Sequence, residues 1–223
     1  LMNDEGTKSF LDASLQQALS TLDTNDLKSR KKFEGMMESI NAIMQNDLYS
    51  AEPYSVFNHG DCWVNNMLYH YTKRGRPEEI VQIDWQISRY CSPVQDLVYF
   101  IFICTDKKMR SNHFDELLNV YHRSLKDLLD HLGGNTMVQF PFTALLRELR
   151  KFGKFGVMSA CFIVPWLNMK NDELPDQDML AEKIQGGDQE SLDEMMKEFI
   201  GGNKEGKDKI NERVRDIILD GIK

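Results

Sequence analysis

Residues 54–102, YSVFNHGDCWVNNMLYHYTKRGRPEEIVQIDWQISRYCSPVQDLVYFIF, decide how this chain reads. Here His59-Gly60-Asp61 closes a short apolar run, Asn66 stands five residues after Asp61, and a second apolar run, Ile80–Ile83, delivers Asp84. An acid, an amide and an acid on loops at strand ends suit phosphoryl transfer. The first carboxylate can accept or orient the proton of an attacking hydroxyl. The amide oxygen and the second carboxylate can hold Mg²⁺ against nucleotide phosphates. Two carboxylates facing one cleft repel unless a cation separates them, which strengthens the reading of all three together.

The local pattern explains how residues so far apart could meet. Tyr54–Asn58 reads as a short strand entered through Pro53, which favours extended backbone before it. Asn66–Tyr71 and Glu79–Ile83 read as a hairpin, with the turn chemistry of Lys73-Arg74-Gly75-Arg76-Pro77 between them. Such a hairpin brings Asp61 and Asp84 to one cleft. Pro93 suits the start of a helix, and Asp96–Thr105 is then an almost wholly apolar, buried helix.

Outward from this stretch the chain is helical. Lys8–Leu22 places Phe10, Leu11, Leu15, Ala18, Leu19 and Leu22 on one face, and Asp26–Leu48 does the same with Phe33, Met36, Met37, Ile40, Ile43 and Met44. The methionine stripe reads as a core face, and Lys28, Arg30, Lys31 and Lys32 as a solvated one. Asn112–Leu132 is the most regular helix, with Phe114, Leu117, Leu118, Tyr121, Leu125, Leu128, Leu129 and Leu132 following the helical period, Asn112 and Asp115 suited to an N-terminal cap and Gly133-Gly134 ending it. Phe142–Leu167 is a second long helix. Asn168–Gln185 reads as a polar loop, and Ser191–Ile200 and Lys207–Ile222 as short amphipathic helices.

Composition sets the outer bounds. With 223 residues, 41% of them hydrophobic, the chain can bury a full core, and its net charge of −8 argues against a nucleic-acid partner. Cys62, Cys91, Cys104 and Cys161 have no C-x-x-C spacing, which favours free thiols in a reducing compartment. The first residues lack an apolar signal region, and no apolar run reaches the ~20 residues that span a bilayer, so no membrane partner and a cytoplasmic location are the expectation.

The strings HGDCWVNNMLY, IDWQISRYCSP and QDL resemble the ecdysteroid kinase-like family, also called CHK kinase-like, within the protein-kinase-like phosphotransferases that include aminoglycoside and choline kinases. The close resemblance covers Val56–Phe102. It implies the C-terminal lobe of a protein-kinase-like fold, mainly α with a small β-hairpin region, organised as leading helices (1–52), catalytic loop, hairpin and metal Asp (53–105) and a helical subdomain (106–223). It implies a kinase using ATP and Mg²⁺ and acting on a hydroxyl of a small molecule, ecdysteroid-like or other. Asp61 is then the catalytic base, and Asn66 and Asp84 are the metal residues. His59 would brace the catalytic loop against Trp85, Gly60 would give the bend its freedom, and Asp96 would anchor the loop backbone, alongside its plain reading as an acid at a helix N-terminus. Trp63 stands where protein-serine kinases typically carry Lys, which argues against a protein substrate. It either lines the acceptor pocket or packs in the core. Asn65 reads as a turn residue, and His70, His113, His122 and His131 as surface residues.

A complete enzyme of this kind has an N-terminal lobe with a sheet, a phosphate-covering loop and a Lys paired to a Glu. Nothing upstream of Tyr54 has that pattern, so the expectation is a chain truncated before that lobe and inactive alone. The alternative is a non-catalytic, pseudokinase-like binding module. A zinc hydrolase built on His59, Asp61 and Asp84 would need more ligands than this stretch offers.

Overall fold

The computed structural model describes residues 5–42, 52–167 and 204–221. The chain divides into two compact units, residues 46–156 and residues 1–45 with 157–223. The elements are α1 (Glu5–Ser20), α2 (Leu27–Ala42), β1 (Val56–Asn58), a 3₁₀ turn (Val64–Asn66), β2 (Met67–Tyr71), β3 (Pro77–Gln82) and β4 (Arg89–Cys91). Then follow α3 (Val94–Cys104), α4 (Lys107–His131), α5 (Thr136–Gln139), α6 (Phe142–Leu167) and α7 (Lys204–Gly221). The fold is mainly α with a small antiparallel β region, as expected. The expected helix Ser191–Ile200, the loop Asn168–Gln185 and the apolar positions Ile43 and Met44 lie outside the described residues.

The unit formed by the chain's two ends is helical. Leu15, Ala18, Leu19 and Leu22 bury one face of α1 and its exit, and Phe33 and Met36 one face of α2. In α7, Ile210, Val214, Ile217 and Ile218 follow the helical period and are buried, and α6 adds Val157, Cys161 and Val164. Arg30 corrects the expectation of a solvated basic face. Its Nη1 donates to the carbonyls of Leu19 and Leu22 at 3.1 and 3.3 Å, supplying donors where α1 runs out of its own.

In the other unit β1 pairs antiparallel with β4 (Val56↔Cys91, Phe57↔Tyr90, Asn58↔Arg89), and β2 with β3 (Met67↔Gln82 through His70↔Glu79). The hairpin matches the expectation; β4 does not, because three residues carry too little alternation to read as a strand. β4 fixes the topology. The chain leaves β1 at Asn58, makes the loop that carries Asp61 and then the hairpin, and returns to pair Arg89 with Asn58. Both loops therefore emerge at one end of the β1–β4 ladder. Buried Asn58 locks that end, its Nδ2 donating to the carbonyls of Cys91 and Ser92 at 3.0 and 3.2 Å.

Helix α3 is buried through Val94, Val98, Ile101, Phe102 and Ile103. Helix α6 comes against it so closely that a Cβ on Gly156 would stand 2.7 Å from Val98 Cβ and from its carbonyl oxygen, so only glycine fits there. Helix α4 begins five residues before Asn112: the Asp106 side chain accepts from Met109 N at 2.7 Å and caps it. The residues that follow its helical period are not all covered. Leu118 is buried, but Leu128 and Leu132 are 56% and 70% exposed. A 3.6-residue period marks a helix; it does not supply the neighbour that would cover it.

Candidate active site

The loop after β1 is held from below by α3. Asp96, in the first turn of that helix, accepts from the backbone N–H of His59 at 2.6 Å and of Gly60 at 3.0 Å, one on each oxygen. Gly60 has φ +89°, and a Cβ there would stand 2.3 Å from Ile87 O and 2.9 Å from Arg89 Nη1. The bend thus needs glycine both for its conformation and for the close passage of the second loop.

His59 is 2% exposed and both ring nitrogens are engaged. Nε2 donates to Ile83 O at 2.8 Å, Nδ1 accepts from Asp61 N at 3.3 Å, and the ring lies 4.6 Å from that of Trp85. No nitrogen remains to bind a metal or take a proton from substrate. The histidine instead ties the first loop to the residues either side of Asp84. Asn66 makes the other tie, its carbonyl accepting from Ile83 N at 3.0 Å.

Asp61, half-buried, is the most heavily bonded side chain of the site. Asn66 Nδ2 donates to its Oδ2 at 2.9 Å and to its carbonyl at 3.0 Å. Trp63 Nε1 donates to Oδ2 at 3.2 Å. The Tyr99 hydroxyl donates to Oδ1. With its Nδ2 so occupied, Asn66 has Oδ1 left as a ligand atom. Asp84 is exposed, and no described residue bonds its carboxylate. At φ +65° it is the one non-glycine among the described residues in the left-handed region, which costs about 1–2 kcal/mol. Strain of this kind gathers at functional sites because the surrounding structure must hold it.

Asn66 Oδ1 and the Asp84 carboxylate are hard oxygen donors and fit Mg²⁺, which takes one or two protein oxygens and completes its shell with phosphates and water. Among the described residues no group of three or more His, Cys, Asp or Glu forms a metal cage. Burial first, and then the neighbouring Asp96, Cys104 and Asp61, push the Cys62 thiol up to about 12, which disfavours its thiolate.

Two residues were not legible in the sequence. Tyr99 follows Asp96 by three positions on the same helix face, and a phenol on an apolar helix needs a partner; that was the available signal. Arg89 donates from Nη1 to Gly60 O at 3.4 Å and from Nε to Gln95 Oε1 at 3.3 Å, with its guanidinium 5.3 Å over the Phe155 ring. Among the other histidines, His70 and His113 are exposed as expected, while His122 is half-buried, with Nε2 2.9 Å from Phe140 O. Asn65 is exposed and stands apart from the site's bonding.

The sequence pattern of the ecdysteroid kinase-like family matches residues 2–134, more than half of the chain and the whole of this site. No curated protein and no solved structure matches the chain.

Proposed function

The chain belongs to the ecdysteroid kinase-like family, and from that premise we propose that its protein transfers the γ-phosphoryl group of MgATP to a hydroxyl of a small molecule, ecdysteroid-like or other. The observation that carries this reading is the bonding of Asp61. Its carboxylate is bonded to Asn66 in one loop, and Asn66 in turn is bonded to Ile83, the residue before Asp84 in the other. These bonds tie the loop of Asp61 and Asn66 to the residue that precedes Asp84, which supports reading the three residues as one site.

In this mechanism Asp61 receives the hydrogen bond of the acceptor hydroxyl and turns its oxygen toward the phosphorus. Asn66 would serve twice: its NH₂ bonds Asp61, and its remaining Oδ1 would be the atom that holds Mg²⁺. Mg²⁺ held by Asn66 and Asp84 would offset charge on the nucleotide's phosphates. Asp96 fixes the backbone from which Asp61 projects, and His59 with Trp85 keeps the two loops in register. Trp63 acts through Asp61, to which its indole N–H is bonded. No nucleic acid or membrane enters this reading.

The test is phosphotransfer from MgATP to a panel of hydroxylated small molecules, comparing the protein with Asp61→Asn. The variant is expected to lose on the order of 10²-fold or more in kcat with nucleotide affinity nearly intact, because the lost group acts on the acceptor's proton. Wild-type turnover by Asp61→Asn would remove Asp61 from the mechanism.

A further inference from the structure

We propose that Tyr99 is a positioning residue of this site: its hydroxyl holds the Asp61 carboxylate in one orientation and leaves a single lone pair, on Oδ1, to receive the acceptor's hydroxyl. The proposal rests on the reading of Asp61 given above and adds where on that carboxylate the acceptor binds.

The argument is a count of lone pairs. A carboxylate offers about four acceptor positions, two on each oxygen. On Asp61, Asn66 Nδ2 and Trp63 Nε1 take the two on Oδ2, at 2.9 and 3.2 Å. The Tyr99 hydroxyl takes one on Oδ1. One position remains, on Oδ1 beside the phenol. An acceptor hydroxyl docking anywhere else on this group would first have to displace a donor.

Tyr99 is built as a fixed post. It is 5% exposed, and its ring stacks on Phe155 with centroids 6.4 Å apart and planes 27° apart. Arg89 also lies over the Phe155 ring and donates to Gly60 O, so the support closes on the same loop it steadies. Helix α3 thereby grips the loop's backbone with Asp96 and its reactive carboxylate with Tyr99, one turn apart. Burial, and after it the bond to Asp61, pushes the phenol's ionisation well above its ordinary value. The hydroxyl stays a donor at working pH.

A buried phenol that merely needed an acceptor would satisfy itself on Asp61 without governing it. The measurement that separates the two is the set of side-chain scalar couplings of Asp61, read by NMR in the isotope-labelled 223-residue chain. Wild type is expected to show the couplings of one rotamer. Tyr99→Phe, which keeps the ring, is expected to show averaged couplings at Asp61 with the amide spectrum changed only nearby. In the transfer assay the same variant should lose about tenfold in kcat with KM for MgATP unchanged. Single-rotamer couplings at Asp61 in Tyr99→Phe, or an unchanged kcat, would overturn the proposal. Should Tyr99→Phe fail to fold, Phe155→Leu withdraws the stacked ring and keeps the hydroxyl. Partly averaged Asp61 couplings are then expected, and unaltered ones would overturn it. The two readings fail separately. Full turnover by Asp61→Asn refutes the role of Asp61, whereas an impaired Asp61→Asn beside a rigid Asp61 in Tyr99→Phe refutes only that of Tyr99.

Discussion

Cys62 shows how far the surroundings of a residue outweigh its position in the chain. It follows Asp61 directly, yet its sulfur accepts from Gln82 Nε2 at 3.4 Å, and its thiol is pushed from an ordinary 9.0 up to about 12, first by burial. Iodoacetamide at pH 8 is therefore expected to leave Cys62 unmodified in the folded chain and to label it after denaturation, as read by peptide mass spectrometry. Rapid labelling of the folded protein would contradict this. The pH dependence has a definite sign. The folded chain keeps this proton up to about 12, while the unfolded chain releases it near 9.0. The resulting stabilisation is full below pH 9 and is lost as pH climbs from there, because the unfolded state then binds fewer protons. Buried Cys161, also pushed up to about 12, acts in the same direction.

At this scale the sequence was most legible where hydrogen bonding depends on short spacing along the chain. His59, Gly60, Asp61 and Asn66 stand at short intervals, so residue type and register were enough to expect the loop that their hydrogen bonds build. Tyr99 and Arg89 escaped because their partners, Asp61 and Gly60, lie 38 and 29 residues away. Only the return of the chain through β4 and α3 brings them together. Trp63 was visible as a position, but its contact was not, since an indole can face a pocket, a core or its own loop with equal ease.

Among elements, α4 marks the boundary of what periodicity tells. Its apolar spacing located the helix, but its start was misplaced because Asn112 also resembles a cap. Asp106 is the residue whose side chain bonds a free N–H of the first turn, that of Met109. Asp106→Ala is expected to lower the unfolding free energy by about 1 kcal/mol, read from urea melts, while Asn112→Ala leaves it within a few tenths. Equal losses in the two variants would contradict the assignment of the cap. β4 could not be found locally, because a three-residue strand is defined by its partner, β1. Helix α6 was legible from end to end because its apolar face is long and continuous, Ala144, Leu145, Phe152 and Phe155 in one unit and Val157, Cys161 and Val164 in the other.

Across the whole molecule, the strands around the site leave much apolar surface open. Phe57 is 81% exposed, Leu68 56%, Ile80 53% and Val81 51%, more than isolated surface residues account for. No helix among the described residues is long and apolar enough to cross a membrane. The central claim is that Asn66 and Asp84 form one metal site beside Asp61, on a chain whose 35 acidic residues offer many weaker ones. Mn²⁺ can stand in for Mg²⁺, and its unpaired electrons broaden the NMR signals of nearby nuclei. The measurement is a titration of the labelled 223-residue chain with substoichiometric Mn²⁺ in the presence of ATP. The account predicts that the amides of Asn66, Asp84 and their loop neighbours broaden first, that excess Mg²⁺ reverses the effect, and that Asp84→Ala abolishes it. Broadening spread over the acidic surface without preference, or unchanged in Asp84→Ala, would contradict it.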